Sequence, residues 1–151
     1  MPRTTVVGSY PAPGGLTEAS LGGALASLLR PQEDCGLDVD TDGELLRFDP
    51  SLPETNGMID YFIRPMGGIS SSLTREDLAR FAAEQRMDFR TEPAGVVPGP
   101  LTEGTLNLPR DWQFFRELSS VDTMFIFTAP YMLARTLVDR RSEEYTSELQ
   151  S

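Results

Sequence analysis

A short run of charged residues, directly after an alternating segment, is the part of the sequence best suited to do chemistry. Residues 37–41 alternate in polarity, as a short strand does, and Asp42, Gly43, Glu44 and Arg47 follow them. Ligands of α/β proteins bind at the carboxyl ends of parallel strands, because the loops that leave this edge converge there. We therefore expect this turn to face a ligand, with Glu44 as the first candidate for a functional residue.

The same residues also have simpler interpretations. Glu44 can be a solvated residue after an Asp-Gly turn, and Arg47 can form a surface ion pair with Glu44 or Asp49. Alternating aspartates resemble a metal loop, but the spacing of a calcium loop does not continue after them, so a metal site is disfavoured. These aspartates are Asp38, Asp40 and Asp42.

The segment before the charged turn predicts a strand, a loop and a helix. Residues 4–7 are all β-branched and run into Gly8 and Ser9, so we expect a short buried strand whose end presents a hydroxyl and free backbone N–H groups. A helix with one buried face is predicted after Thr17, which is the expected N-cap, and Gly36 is expected to end it.

The segment after the charged turn predicts an insertion and two further strands. The excursion is long for a connection between a strand and a helix, and it includes a short helix from an N-cap at Thr74 to about Gln85, so we expect a lid over the site. A weak strand is predicted at residues 95–97, and the clearest buried strand of the sequence is predicted at residues 122–127.

Two more helices complete the pattern. One begins at Pro109 and is expected to pack Trp112, Phe114 and Phe115 against the sheet, and the other follows Thr128. The element order is then strand, helix, strand, lid, strand, helix, strand, helix. This order predicts an α/β fold with a parallel sheet and right-handed crossovers.

The composition excludes several classes of function. The 151-residue chain has a formal net charge of -10, so no basic patch is expected for nucleic acid or for an anionic membrane. It contains neither lysine nor histidine, which excludes Schiff-base chemistry and any Ser-His or Cys-His nucleophile pair within the chain. One cysteine, Cys35, with no export signal and no apolar run of about 18 residues, predicts a cytoplasmic protein.

The last residues of the sequence differ in kind from the rest. Residues 141–151 have no apolar periodicity and break off where a helix would continue. We therefore predict one domain over residues 1–140, followed by a non-native or disordered tail over residues 141–151.

Four segments, in the same order along the chain, resemble the catalytic barrel of cobalamin-independent methionine synthase and of its shorter relatives. They are residues 4–9, 32–44, 58–62 and 127–131. The resemblance implies a (β/α)8 TIM-type barrel. A whole barrel of this kind takes roughly 250 residues, so the chain would be its amino-terminal half, with about four βα units and a lid-like insertion after strand 2.

The resemblance also implies a reaction and a set of site residues. The family is a zinc-dependent methyltransferase that moves a methyl group from 5-methyltetrahydrofolate to homocysteine, and the zinc lowers the pKa of the thiol so that a nucleophile exists at neutral pH. By this resemblance, Gly8 and Ser9 would hold the carboxylate of homocysteine, and Glu44 would pair with its ammonium. Asp42 would assist Glu44, and Thr128 would line the mouth of the site.

The zinc ligands of the family are histidine, cysteine and glutamate residues of later strands, so the resemblance places them beyond this half of the barrel. No residue of this chain is assigned as a metal ligand. Cys35 precedes the second strand and would lie at the opposite end of the barrel from the site, and we expect it to be a small, partly buried residue.

Three alternatives remain open at this stage. A relative on the same barrel could alkylate another thiol, as the coenzyme M transferases do, and decarboxylases of the related porphyrin family are a weaker choice. The chain could also be a catalytically inactive, truncated product, because half a barrel leaves open strand edges that favour aggregation or pairing with a second copy.

Overall fold

The computed structural model describes residues 2–49, 51–52, 56–84 and 90–141, and all structural statements below concern these residues. The helices and strands form two compact units, one from residues 1–57 and 107–127 and the other from residues 58–106 and 128–151. In chain order the elements are α1 (Leu21–Asp34), β1 (Val39–Thr41), α2 (Asp60–Ile63), α3 (Arg75–Ala83), β2 (Gly95–Val97), α4 (Leu108–Arg116), β3 (Asp122–Met124), α5 (Pro130–Arg135) and β4 (Leu137–Asp139).

The first unit is built on a parallel pair of strands, β1 and β3, in which Asp40 lies opposite Thr123. Its core contains Leu25 and Leu28 of α1, and Leu45 packs with them just after the strand. A buried apolar contact of this kind removes hydrocarbon from water and is worth roughly 1.5–3 kcal/mol per large side chain. The core therefore ties the turn after β1 to α1.

Helix α1 follows the sequence prediction closely. Thr17 caps a single 3-10 turn, Glu18–Ser20, in a capping box with Ser20, and α1 continues from it. The helix ends at Asp34, and Gly36 takes a φ of 75°, the left-handed conformation that favours glycine after a helix. Cys35 is exposed, which corrects the expectation that it is partly buried.

The predicted first strand is reduced to one bridge between Thr5 and Val39. Further along β1, the buried amide of Gln32 takes both backbone groups of Thr41: Thr41 N donates to Gln32 Oε1 at 3.0 Å, and Gln32 Nε2 donates to Thr41 O at 2.9 Å. A side chain from α1 thus satisfies backbone groups that a neighbouring strand would otherwise pair with.

The second unit is built on the parallel strands β2 and β4, in which Val96 lies opposite Val138. Val96 also forms an antiparallel bridge to Ser70, with both hydrogen bonds at 2.8 Å. Its core contains apolar residues of the segment predicted as a lid: Ile59, Ile63 and Phe81 are at most 3% exposed and pack with residues of β2 and β4. The predicted lid is thus part of a core.

The strands pair differently from the prediction. A parallel sheet with right-handed crossovers was expected, whereas the structure has two two-stranded parallel sheets, β1 with β3 and β2 with β4. The reason lies in the neighbours of β2, since Ser70 bonds to it on the antiparallel side and β4 on the parallel side. The fold is α/β with short parallel strand pairs, and the described residues form no closed barrel.

The last elements are shorter than predicted. Strand β3 ends at Met124, and Phe127, expected to be buried at its end, is 61% exposed. Helix α5 ends at Arg135, and Leu137, expected on that helix, begins β4 instead. Residues 142–151 of the predicted tail lie outside the described residues.

Helix α4 buries fewer aromatic rings than predicted. Phe115 is completely buried, as expected, but Trp112 and Phe114 are 41% and 40% exposed. The helix begins at Leu108, with Asn107 accepting a hydrogen bond from Arg110 N as its cap and Pro109 in its first turn. Helix α3 has its predicted cap, because Thr74 and Asp77 form a capping box.

A search of the described residues found no helix that is both long enough and apolar enough to cross a bilayer.

Candidate functional site

The charged turn that follows β1 has an unusual backbone. Gly43 and Glu44 are both left-handed, with φ values of 55° and 62°, and Glu44 is the one non-glycine residue with a positive φ among those described. Such a conformation costs a non-glycine residue roughly 1–2 kcal/mol. Asp42 helps to hold it, since its Oδ1 accepts a hydrogen bond from Glu44 N at 3.2 Å. Strain of this kind is found where a side chain must be held in one place.

Gly43 is required at its position by close packing as well as by its φ. A Cβ on Gly43 would lie 2.6 Å from Cδ2 of Tyr10 and 2.8 Å from Cδ1 of Leu28, which is closer than real Cβ contacts. The carbonyl of Gly43 also accepts a hydrogen bond from Tyr10 N at 2.8 Å. The loop after the Thr5 bridge therefore contacts the charged turn directly through Tyr10, and Ser9 precedes Tyr10 in the chain.

Glu44 and Arg47 form an ion pair with 3.5 Å between Glu44 Oε1 and Arg47 Nη1. The pair was expected at the surface, but the Arg47 side chain is 2% exposed and that of Glu44 is 15% exposed. Arg47 also donates through Nη2 to the carbonyl of Ile126, just beyond β3. The guanidinium thus joins the chain segments that leave the carboxyl ends of two neighbouring parallel strands.

Asp42 is a buried carboxyl with few partners. It is 0% exposed, and its Oδ2 has no hydrogen-bond partner among the described residues. Burial raises the pKa of Asp42 above its ordinary value, although the Glu44 N–H and the Arg47 charge act in the opposite direction. The turn therefore contains two carboxyl groups, those of Asp42 and Glu44, and one guanidinium, that of Arg47.

Asp40, on β1 itself, is a second buried carboxyl in this unit. Its Oδ2 accepts a hydrogen bond from Ser119 Oγ at 2.7 Å, and its Oδ1 has no partner among the described residues. Burial is the largest effect on its pKa and raises it. Asp40 lies opposite Thr123 of β3, and its hydrogen-bond partner Ser119 lies in the loop between α4 and β3.

The remaining predicted site residues differ in how far the structure connects them to this turn. Gly8 has a φ of 127°, and Ser9 is exposed. Both lie in the same unit as Glu44, two residues or fewer from the Tyr10 contact. Thr128 belongs to the other unit, where its hydroxyl donates to Met58 O at 2.7 Å and the residue is 9% exposed.

Several of these features could not be predicted from local sequence patterns. Nothing in the spacing of Arg47 indicates that it is buried or that it reaches Ile126, because that contact spans 79 residues. Likewise, no local pattern links Asp77 to Arg140, which form a two-bonded ion pair in the second unit at 3.0 and 2.6 Å. That pair lines a cleft of about 350 Å³ together with Thr74, Glu76 and Arg80.

The donor set of the described residues does not fit a zinc ion. These residues contain no group of three or more histidine, cysteine, aspartate or glutamate side chains arranged to hold a metal. The sequence has no histidine, and Cys35, its one thiol, is exposed at the end of α1.

Comparisons with known proteins support the predicted resemblance at the level of the fold. No protein family model and no curated protein matches the sequence. One similar solved structure is a B12-independent methionine synthase from Shewanella sp. W3-18-1 in complex with selenomethionine, with a TM-score of 0.61 and 19% sequence identity. The match covers 91% of this chain and 41% of that chain, so this chain spans about two fifths of the other protein's length.

Proposed function

We propose that this chain is the amino-terminal half of a methionine-synthase-like barrel and that its charged turn binds the ammonium group of homocysteine. The full reaction would be methyl transfer from 5-methyltetrahydrofolate, or a related donor, to the homocysteine thiol, in the cytoplasm. The observation that carries the proposal is the charge balance of the turn, where Asp42 and Glu44 face one guanidinium, that of Arg47.

An ammonium group would correct this imbalance. Glu44 Oε1 is the oxygen at 3.5 Å from Arg47 Nη1, and Glu44 Oε2 accepts no hydrogen bond from the described residues. A charged hydrogen bond from a ligand to this oxygen is worth about 1.5–3 kcal/mol when it is protected from water. Asp42 Oδ2, which is buried and unpartnered, favours a positive charge nearby for the same electrostatic reason.

The other proposed contacts also concern the amino-acid end of homocysteine. Gly8 and Ser9 lie beside the Tyr10 contact to the turn, so we assign the homocysteine carboxylate to the backbone N–H groups and the hydroxyl there. Thr128 belongs to the other unit, where its hydroxyl donates to Met58 O, and its role at the mouth of the site stays a prediction from the resemblance. The tasks of this chain are to bind and orient the amino-acid end of the substrate.

The location of the turn and the fold similarity support this proposal. The turn lies at the carboxyl end of β1, next to the carboxyl end of the parallel strand β3, where α/β proteins bind ligands. The α/β fold is similar to that of a B12-independent methionine synthase. Zinc would supply the thiolate in such an enzyme, but its ligands are not found among the described residues, so no step assigned to this chain involves the metal.

The test is the affinity of the 151-residue chain for L-homocysteine, measured by calorimetry and compared with 4-mercaptobutanoate, which lacks the ammonium. We expect saturable binding of homocysteine and a loss of about tenfold or more in Glu44→Gln. The affinity for 4-mercaptobutanoate should be weak and unchanged by the substitution. Glu18→Gln, at an exposed glutamate of the same unit, is the matched control and should bind as the parent chain does.

Several results would overturn the proposal. One is the absence of saturable homocysteine binding by the parent chain, and another is equal affinity in the Glu44→Gln and parent chains. Tighter binding of 2-mercaptoethanesulfonate than of homocysteine would instead indicate a coenzyme M type of thiol substrate. Sizing the chain in the same buffers separates a monomer from a pair of half barrels, and a dimer without homocysteine binding would indicate an inactive product.

A further inference from the structure

Arg47 has the contacts of a residue that positions another side chain. Its side chain is 2% exposed, and burying a guanidinium is costly unless its charge and its N–H groups are compensated. The Glu44 carboxylate supplies the opposite charge at 3.5 Å, and the carbonyl of Ile126 accepts a hydrogen bond. Both partners lie at the carboxyl ends of the parallel strands β1 and β3.

The ion pair between Arg47 and Glu44 is longer than a charged hydrogen bond. A distance of 3.5 Å is longer than the 2.7–2.9 Å that is usual for a charged hydrogen bond, so the attraction orients the carboxylate without using its full bonding capacity. Glu44 and Arg47 are joined by one turn of 3-10 helix, Leu45–Arg47. In this turn Arg47 N donates a hydrogen bond to Glu44 O at 3.1 Å. Arg47 therefore contacts Glu44 both through its backbone N–H and through its guanidinium.

Glu44 needs such support because its own backbone is strained. Its φ of 62° is unfavourable for a residue with a Cβ, and a strained conformation persists only where surrounding contacts determine it. Three such contacts are the hydrogen bond from Glu44 N to Asp42 Oδ1, the hydrogen bond from Arg47 N to Glu44 O, and the Arg47–Glu44 ion pair. Arg47 is present in two of the three.

We propose that Arg47 is a positioning residue, which fixes one oxygen of the Glu44 carboxylate and so presents the other to the ammonium of the amino-acid substrate. This inference rests on the proposed function, because it concerns the same site. Through its bond to Ile126 O, Arg47 also links the orientation of Glu44 to the segment after β3. A lysine cannot replace it fully, since a single ammonium lacks the planar fork that reaches two acceptors.

The test is a double-mutant cycle for homocysteine affinity in the 151-residue chain, with Arg47→Met, Glu44→Gln and the double variant. We expect Arg47→Met to weaken binding about tenfold in the parent background and less than about twofold in the Glu44→Gln background, because its effect passes through Glu44. Arg47→Lys should give an intermediate affinity. A purely structural role would lower the folded fraction equally in both backgrounds, and urea denaturation of every variant measures that fraction.

The control for a general change of charge is Arg30→Met, at an exposed arginine on α1 in the same unit, which should leave affinity unchanged. Equal losses from Arg47→Met in both backgrounds would overturn the inference while leaving the role of Glu44 intact. If the parent chain does not bind homocysteine, it is the proposed function that fails. Should Arg47→Met fail to fold, Arg47→Lys and the guanidinium NMR signals of the parent chain decide, because those signals must shift on homocysteine addition.

Discussion

Asp42 and Asp77 are two buried aspartates, one in each unit, and their pKa values move in opposite directions. Asp42 is 0% exposed and its pKa is raised, chiefly by burial. Asp77 is 4% exposed and its pKa is lowered well below its usual range, chiefly by the hydrogen bonds from Arg140 and then by those from Thr74. The two side chains have similarly low solvent exposure, but desolvation is the main effect on the pKa of Asp42 and hydrogen bonding is the main effect on that of Asp77.

The number of hydrogen bonds distinguishes Asp77, a structural carboxylate, from Asp42, a carboxyl group that can still bind a ligand. Asp77 accepts hydrogen bonds from Thr74 N, Thr74 Oγ1 and two nitrogens of Arg140, which uses both of its oxygens. Asp42 accepts one from Glu44 N, and its second oxygen has none among the described residues. A fully bonded carboxylate stabilises the fold, whereas an incompletely bonded one lowers stability and leaves an interaction to be made.

The largest effect is expected from crowding the turn that holds Asp42. Gly43→Ala would place a Cβ within 2.6 Å of Tyr10 and 2.8 Å of Leu28 at a φ of 55°, so we expect a loss of about 3 kcal/mol from the free energy of unfolding in urea. Gly36→Ala is the matched control. It has a φ of 75° but nothing within 4 Å, so only the backbone cost of about 1 kcal/mol remains.

Equal losses in the two alanine variants would show that conformation alone, and not the contact with Tyr10 and Leu28, holds the turn. In that case the site would depend less on the loop after the first strand than the structure indicates. A larger loss in Gly43→Ala accompanied by weaker homocysteine binding would connect the packing of the turn with the proposed site.

A smaller effect is expected from removing the partner of Asp77. Arg140→Ala leaves the Asp77 carboxylate buried with Thr74 alone, and we expect Tm to fall by roughly 5 °C, because the Arg140 side chain is 43% exposed and water compensates part of the loss. Arg141→Ala, next in the chain, removes an ion pair to Asp139 in which both side chains are about 40% exposed, and Tm should change by about 1 °C or less. Similar shifts for both arginines would contradict the structural role assigned to Asp77.

The sequence predicted the elements that depend on local contacts. The caps at Thr17 and Thr74 and the left-handed Gly36 are all as expected, because a cap is a contact between residues a few positions apart. Strand pairing could not be predicted in the same way. The bridge from Ser70 to Val96 and the pairing of Val96 with Val138 depend on the whole chain, and no local pattern encodes them.

The candidate site shows the same division. Its location at the turn after β1 was predictable, since an alternating segment followed by Asp-Gly-Glu indicates a strand and a turn. The burial of Arg47 was not, because its interpretation as a surface ion pair used only neighbours in sequence, and the contact with Ile126 O lies 79 residues away. The exposure of Phe127 was missed for a related reason, as β3 ends three residues earlier than its apolar run.

The finest test of the comparison is the pH dependence of stability in two isosteric variants, Asp42→Asn and Asp77→Asn. The pKa of Asp42 is raised above its ordinary 3.8, so the folded protein binds this proton more tightly than the unfolded chain, and parent stability falls as pH rises between 3.8 and the raised value. The penalty of Asp42→Asn should therefore shrink, or become a gain, toward neutral pH.

Asp77 must behave in the opposite way. Its pKa is lowered, so the stability that it contributes is fully present above its ordinary 3.8 and is lost as pH falls below that value. The penalty of Asp77→Asn should be largest at neutral pH and should decrease on acidification. Urea midpoints of the three proteins, measured in one buffer series from about pH 3 to about pH 7, give both profiles. If the effects of both substitutions on stability changed with pH in the same direction, burial alone would determine the pKa values of both carboxyls. The incomplete hydrogen bonding of Asp42 would then not support a cationic ligand.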